Sequence, residues 1–493
     1  MKCDGARPCS QCVHFDVSCV VSPHNKRKNP IRGRLVAKVR GEETNINWAE
    51  GTTAVSEPVK TPDSKRSSVF ESLAVPTGYT ASFFTSLVPQ FEEMVYPLSP
   101  VTTPDEILAA IANMEHSFED AALVFAFGSA TTYLSQEAST MPGGTSMQMD
   151  EMIQFSLEAH KRADLQIGPN GRLIQDPPAS LKRIMTCIYL EVSMMAFKRF
   201  DRSFALLREA ITILQTLKAN HFSPEGAEIG KYQRLYWEAY MHERFLTIAS
   251  GYPSILPPLS SGLPGHDPNL HPLVELGFNR IISLFLIIDR QFLAYWTEEE
   301  SNDDLIPEIT IQWIESKQAQ LDDDEAAAAQ ADHELRVGGR GALTERQLAD
   351  LFVTRLWLRT IIWQLALSRG LLRSGPLPDS HEGLSLHFPA QRLSNQLHTL
   401  VGRLESVASI STQGSGIMQK LFEITSTIAD VLALPLGHGQ AGAVMSAQVE
   451  DFVSIVKFLL NFERMRENQK QYLRQKLDIL QQQYPTTVER MLI

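Results

Sequence analysis

Cysteine is scarce: the 493-residue chain holds five, and four of them fall in the first nineteen positions. That distribution excludes a disulfide-stapled extracellular scaffold, which would spread its pairs along the chain, and no signal-peptide pattern opens the sequence. Long apolar runs are missing too. The longest candidate, Ile281 to Ile288, is interrupted by Ser283 and flanked by Arg280 and Asp289, far short of the ~18 residues that suggest a membrane span. No Gly-rich phosphate loop, Gly-x-Ser-x-Gly or His-Glu-x-x-His occurs, so no enzyme is expected. Positive charge is lacking overall, with a formal net charge of −12. On its own that argues against nucleic acid as a partner.

What is present reverses that last point locally. Residues 1–40 hold nine Lys and Arg against Asp4 and Asp16, a local +7 that leaves −19 for the remaining 453 residues. A basic tip on an acidic body is the asymmetry expected of a DNA-binding arm on a regulatory body. The clustered cysteines, Cys3, Cys9, Cys12 and Cys19, are spaced Cys-x5-Cys-x2-Cys-x6-Cys. A Cys-x2-Cys core among clustered thiols points to a metal, and four thiolates suit a closed tetrahedral zinc site. His14 reads as a loop residue and Cys187 as a small buried side chain.

The residues between the cysteines, Lys-Cys-Asp-Gly and then Pro-Cys-x-x-Cys with a further cysteine seven positions on, resemble the second half of the fungal Zn2Cys6 binuclear cluster domain. The family has six cysteines holding two zinc ions, and Cys3, Cys9, Cys12 and Cys19 match the last four. Its first Cys-x2-Cys and basic helix would lie before Met1, so a mis-called start or a missing upstream exon is expected. Of the two bridging thiolates one, Cys9, remains. The resemblance therefore implies at most one zinc in this chain, and a small metal domain draws on the order of 10 kcal/mol or more of folding free energy from its metal.

Past Cys19 the basic segment runs through Lys26, Arg27, Lys28, Arg32 and Arg34. Together with Lys2 and Arg7 these are the candidate DNA contacts, phosphate rather than base. The same cluster could serve nuclear import. Residues 41–70 read as a polar linker, without the apolar heptads of a dimerising coiled coil.

From about residue 78 the periodicity is helical. Thr103-Pro104-Asp105-Glu106 predicts a capped helix start. Helices are expected over 118–134, 152–167, 180–200, 203–217, 273–296, 344–372, 390–412, 415–434 and 446–484, with Asp201 capping the one at 203 and a loop over 135–149. An apolar face at Phe83 to Val88 ends at Pro89. Residues 318–342, with Asp322-Asp323-Asp324-Glu325 and a Gly-rich end, read as a flexible solvated insertion. A second resemblance lies at Arg234-x2-Trp237, Glu243-Arg244 and Gly251-x-Pro253, which is similar to the core of the fungal-specific transcription factor (middle homology) region. It implies a core Trp237 and a partly buried Glu243–Arg244 pair.

The expectation is a mostly α protein: a zinc-cluster remnant over 1–24, a linker over 25–70 and a large all-helical regulatory domain over 71–484. The resemblance implies a nuclear, zinc-dependent regulator of RNA polymerase II transcription that recognises CGG-type triplets, serving a secondary-metabolite cluster or nutrient catabolism. A homodimer, a small-molecule effector or a transcription cofactor fits that role; a membrane does not. The alternative is a helical interaction protein that has lost DNA binding. An in-frame Cys-x2-Cys with Arg and Lys in the DNA upstream of Met1 would favour the first reading, and a nearby stop codon the second. This 493-residue form is expected to bind a CGG duplex weakly or not at all.

Overall fold

The computed structural model describes residues 69, 73–135, 143–164, 166–167, 173–174, 179–219, 227–297, 308–374, 380–404, 410, 413–434, 442–462, 464–485 and 487–488. The described residues are mostly helical, with fifteen α-helices and a two-residue antiparallel pair, Gln166–Ile167 against Leu173–Ile174. Among them, no helix is long and apolar enough to cross a membrane.

The first half is built around one helix. It is flanked by α1 (Ala81–Met94) and α2 (Pro104–Asn113), and is itself α3 (Phe118–Ser135). Every residue of α3 from Asp120 to Tyr133 is buried, as a helix apolar all round must be. It packs against α1, α2, α4 (Gly143–Ala163) and α5 (Leu181–Ala196). Gly128 permits the close approach: a Cβ there would meet Phe84 at 2.8 Å and the Met152 sulfur at 2.9 Å. The start of α2 is as its residues dictate. Thr103 Oγ1 accepts from the Glu106 N–H at 3.2 Å and Glu106 Oε2 accepts from the Thr103 N–H at 2.8 Å, a reciprocal cap of the kind that contributes about 1 kcal/mol.

Next come α6 (Phe200–Ala219), packed against α5, and α7 (Ala227–Ser250). The second half is organised around α11 (Glu345–Ser368) and α13 (Gly414–Leu432), both buried on most sides and packed on each other. Around them lie α8 (Pro272–Leu286), α9 (Arg290–Thr297), α10 (Ile311–Val337), α12 (Ser394–Arg403), α14 (Gly442–Leu460) and α15 (Glu467–Gln483). One continuous core of buried apolar side chains joins the two halves.

Several expectations are corrected. Most of 318–342, read as a flexible solvated insertion, is helical: α10 runs unbroken through Val337 and ends at Gly338–Gly339, the latter at φ +64°. Its acids are not simply solvated: Asp324 pairs with Arg355 at 2.6 Å, and Asp322 and Glu325 both reach Arg359, at 2.6 and 3.0 Å. Helix α1 passes through Pro89, α4 starts at Gly143 within the expected loop, and α6 begins at Phe200, so Asp201 lies in its first turn rather than at its cap. The helix expected at 446–484 is two, α14 and α15, whereas the helices expected over 273–296 are α8 and α9. Near 390 the chain makes a π-helical turn, Pro389–Leu393, before α12.

Candidate functional site

The expected zinc ligands Cys3, Cys9, Cys12 and Cys19, and the expected DNA contacts Lys2, Arg7, Lys26, Arg27, Lys28, Arg32 and Arg34, lie outside the described residues, as do the boundaries drawn within 1–68. The second motif is fully described and forms one knot. It is carried by α7, which ends at Gly251 in the left-handed region at φ +75°, where glycine alone is at ease. Arg234, 2% exposed, donates to the Pro100 carbonyl at 3.0 Å and pairs with Asp267. Trp237 is in the core and its indole N–H donates to the Gly262 carbonyl at 3.1 Å.

Glu243 is the centre of the knot and is fully buried. Its two carboxylate oxygens accept from the Arg208 guanidinium at 2.8 Å, the Ser254 hydroxyl at 2.7 Å and the backbone N–H groups of Ile255 and Leu256, both at 2.9 Å. A buried carboxylate is tolerated when its lone pairs are filled in this way. Arg208 also donates to the Pro253 carbonyl. The expected ion pair between Glu243 and Arg244 is present, at 3.8 Å, and both side chains are fully buried rather than partly. Arg244 donates its hydrogen bonds to the carbonyls of Leu256 and Ile288 at 3.0 and 3.1 Å, with its guanidinium carbon 3.3 Å from the Tyr240 ring centroid. The shorter contacts of the two charges go to different partners because consecutive helical residues face about 100° apart. The motif pins the segment after Gly251 onto α7.

The opposite side of α7 faces a cavity of about 180 Å³. The cavity lies where the end of α3 meets α5, α7, α8, α11 and α13, and its wall is mainly apolar, including Leu134, Ile188, Val192, Met241, Phe245 and Phe285. Four charged side chains enter this wall besides Asp350: Glu191, Glu238, His242 and Lys420. His242 bridges two carboxylates, with Nδ1 2.8 Å from Glu191 and Nε2 3.3 Å from Glu238. Burial works against its charged form, yet the two carboxylates outweigh it and hold its pKa well above the ordinary histidine range, so the ring is the cation of the cluster. Glu238 Oε1 also accepts from the Ser99 hydroxyl at 2.6 Å, while Glu238 Oε2 has no partner among the described residues. Lys420 donates to Thr354 Oγ1 at 2.7 Å, lies 3.4 Å from Asp350, and stands within 6 Å of the rings of Phe245, Phe285 and Trp357.

None of these cavity residues was singled out as a site from the sequence. Glu238 and His242 sit inside the quoted motif, at the i, i+4 spacing that puts them on one helix face. Two charges on an otherwise apolar face were the available signal.

One other cluster has metal-ligand residue types: His160, Cys187 and Glu209, whose ligand atoms lie within 4.8 Å of one another. Its hydrogen bonds are already made. Glu209 accepts from Arg183 at 2.6 Å and pairs with His160 at 2.8 Å. Although burial opposes its charge, these two partners hold Glu209 down to about 2. Cys187 is buried as expected, and burial, with the Glu209 charge, pushes its thiol well up. A guanidinium on the carboxylate and a protonated thiol make an ion-pair network rather than a vacant ligand set. The chain matches no protein-family model and no curated protein.

Proposed function

We propose that this chain is a zinc-dependent DNA-binding transcription regulator of the fungal Zn2Cys6 type, with the helical body as its regulatory part and the nucleus as its place of action. The observation that carries the reading is the spacing of Cys3, Cys9, Cys12 and Cys19 with the basic run from Lys26 to Arg34 directly behind it. Such a spacing suits thiolate–zinc coordination, and the basic run suits phosphate contact. The mostly helical body and the Arg234–Pro253 knot are compatible with it.

Zinc would be held by the four thiolates, where its role is to fold the module. Lys26 to Arg34 would lie along the phosphates and supply affinity without sequence choice. The test is a mobility-shift titration with a CGG-containing duplex and a scrambled control. With a Cys-x2-Cys and basic segment supplied ahead of Cys3, zinc-dependent preference for the CGG duplex is expected, lost with chelator and with Cys9→Ser. The 493-residue chain itself should bind both duplexes weakly and alike. An extended chain that takes up no zinc, or shows no duplex preference, would overturn the reading in favour of a helical interaction protein without DNA binding.

A further inference from the structure

We propose that a second cavity, beside the α5–α6 turn, binds a small organic anion with an aromatic ring, its charge held by Lys198 and Arg466. This goes beyond the DNA-binding reading and does not rest on it. The cavity lies where that turn meets the end of α7, the first half of α13 and the start of α15, and it measures about 900 Å³, at the upper end of the range for small-molecule sites. Phe200, Phe245 and Tyr252, all half-buried, belong to its wall and suit a flat aromatic frame. Lys198, Arg199, Arg202 and Arg466 line it against a single acid, Asp201, on a body that is otherwise strongly acidic. Asp201 already accepts from the Tyr252 hydroxyl, and Arg199 reaches toward Asp150 of α4 at 4.0 Å. The Arg466 guanidinium carbon lies 4.8 Å from the centroid of the Phe200 ring, itself part of the wall. Lys198 is exposed at the lip and has no ion pair among the described residues. This arrangement attracts an anion and opposes a cation.

The backbone at Lys198 is an independent observation. Helix α5 closes with a pair of bonds in which the Lys198 N–H donates to the Met195 carbonyl and the Arg199 N–H to the Met194 carbonyl, both at 3.0 Å, and Lys198 stands at φ +58°. Helices α10 and α11 close with the same pair of bonds, and there the left-handed residue is a glycine, Gly339 at φ +64° and Gly370 at φ +68°. Glycine is the residue this position favours, because a Cβ strains it. At α5 the position carries a lysine instead, and that lysine lines the cavity. Local strain of this kind concentrates at ligand sites, and an ammonium that meets the ligand's charge accounts for the choice.

Isothermal titration calorimetry of the whole chain, without DNA, tests this with naphthoate, neutral naphthol and inorganic phosphate. Naphthoate should bind saturably with Kd on the order of 0.1–1 mM. Naphthol should bind about tenfold more weakly, and phosphate, which lacks the ring, should give no saturable heat. Lys198→Gly should raise the melting temperature by about 1–2 °C yet weaken naphthoate about tenfold, opposite signs that a purely structural lysine would not give. Lys198→Arg keeps the charge and should keep the binding. Arg466→Gln should weaken naphthoate as Lys198→Gly does. Ala249→Phe, which fills the cavity from α7, should abolish binding with the fold intact by circular dichroism; if it does not fold, the Lys198 and Arg466 variants locate the site. Absence of naphthoate binding to the folded wild type, or binding unaffected by a folded Ala249→Phe or by both charge removals, overturns the site. Naphthol binding as tightly as naphthoate overturns the role of the anion, and phosphate binding as tightly overturns that of the ring. A Lys198→Gly chain that melts lower than wild type, or binds naphthoate equally well, overturns the role of the lysine.

Discussion

Glu423 sits buried within α13, 3% exposed, and accepts a hydrogen bond from the Trp357 indole N–H at 2.8 Å. Burial pushes its carboxyl up to about 7, more than the indole hydrogen bond lowers it. The sign of the consequence follows from proton counting. Between about pH 4.5 and 7 the folded chain still holds this proton while the unfolded chain, with an ordinary carboxyl, has lost it. Stability therefore falls as pH rises through that window and is level above it. The difference amounts to at most about 3 kcal/mol. Glu423→Gln keeps the shape and removes the titration. Relative to wild type, its melting temperature should climb by several degrees between pH 5 and pH 8; a constant offset across that range would show that Glu423 titrates normally. Nothing in the sequence around Glu423 announced this, because what sets its pKa is the depth of α13 and an indole 66 residues away. By contrast the Thr103–Glu106 cap was legible, since both partners lie within one turn and the chemistry is local.

At the scale of elements, α10 shows how an acidic run can be structural. Four acids in a row read as a solvated stretch, since such runs usually are. The helix sorts them by face instead. Asp322 and Glu325 reach Arg359, which is fully buried and whose Nε and Nη1 have no partner among the described residues, while Asp323 is exposed. The two acids therefore anchor a buried guanidinium of α11. The double variant Asp322→Asn with Glu325→Gln leaves that charge uncompensated, for which the fully buried figure is about 3–5 kcal/mol. Both acids are about a third exposed, at 36% and 34%, and solvent screening reduces the expected loss to about 2 kcal/mol. Asp323→Asn should stay within about 0.5 kcal/mol. Thermal melts of the three proteins check this, and equal melting temperatures would return α10's acids to the solvated role. Helix existence was readable from period and caps. The break between α14 and α15 was not, because the apolar period continues across it and neighbouring elements decide where the chain turns.

For the whole molecule the decisive quantity is the separation of charge, +7 over residues 1–40 and −19 over the rest. A net charge of −12 repels DNA at long range, so any affinity must come from the tip, at short range and against the body's field. Each phosphate neutralised releases counterions and adds about −0.9 to the slope of log K against log salt on duplex DNA. Under the proposed function Lys26, Arg27 and Lys28 contribute three such contacts. Replacing all three with alanine should flatten that slope by about 2–3 on a duplex of any sequence. Fluorescence anisotropy between 50 and 200 mM salt measures it. A slope that does not change would remove these three residues from the DNA contact and leave the cysteine spacing as the sole support for it.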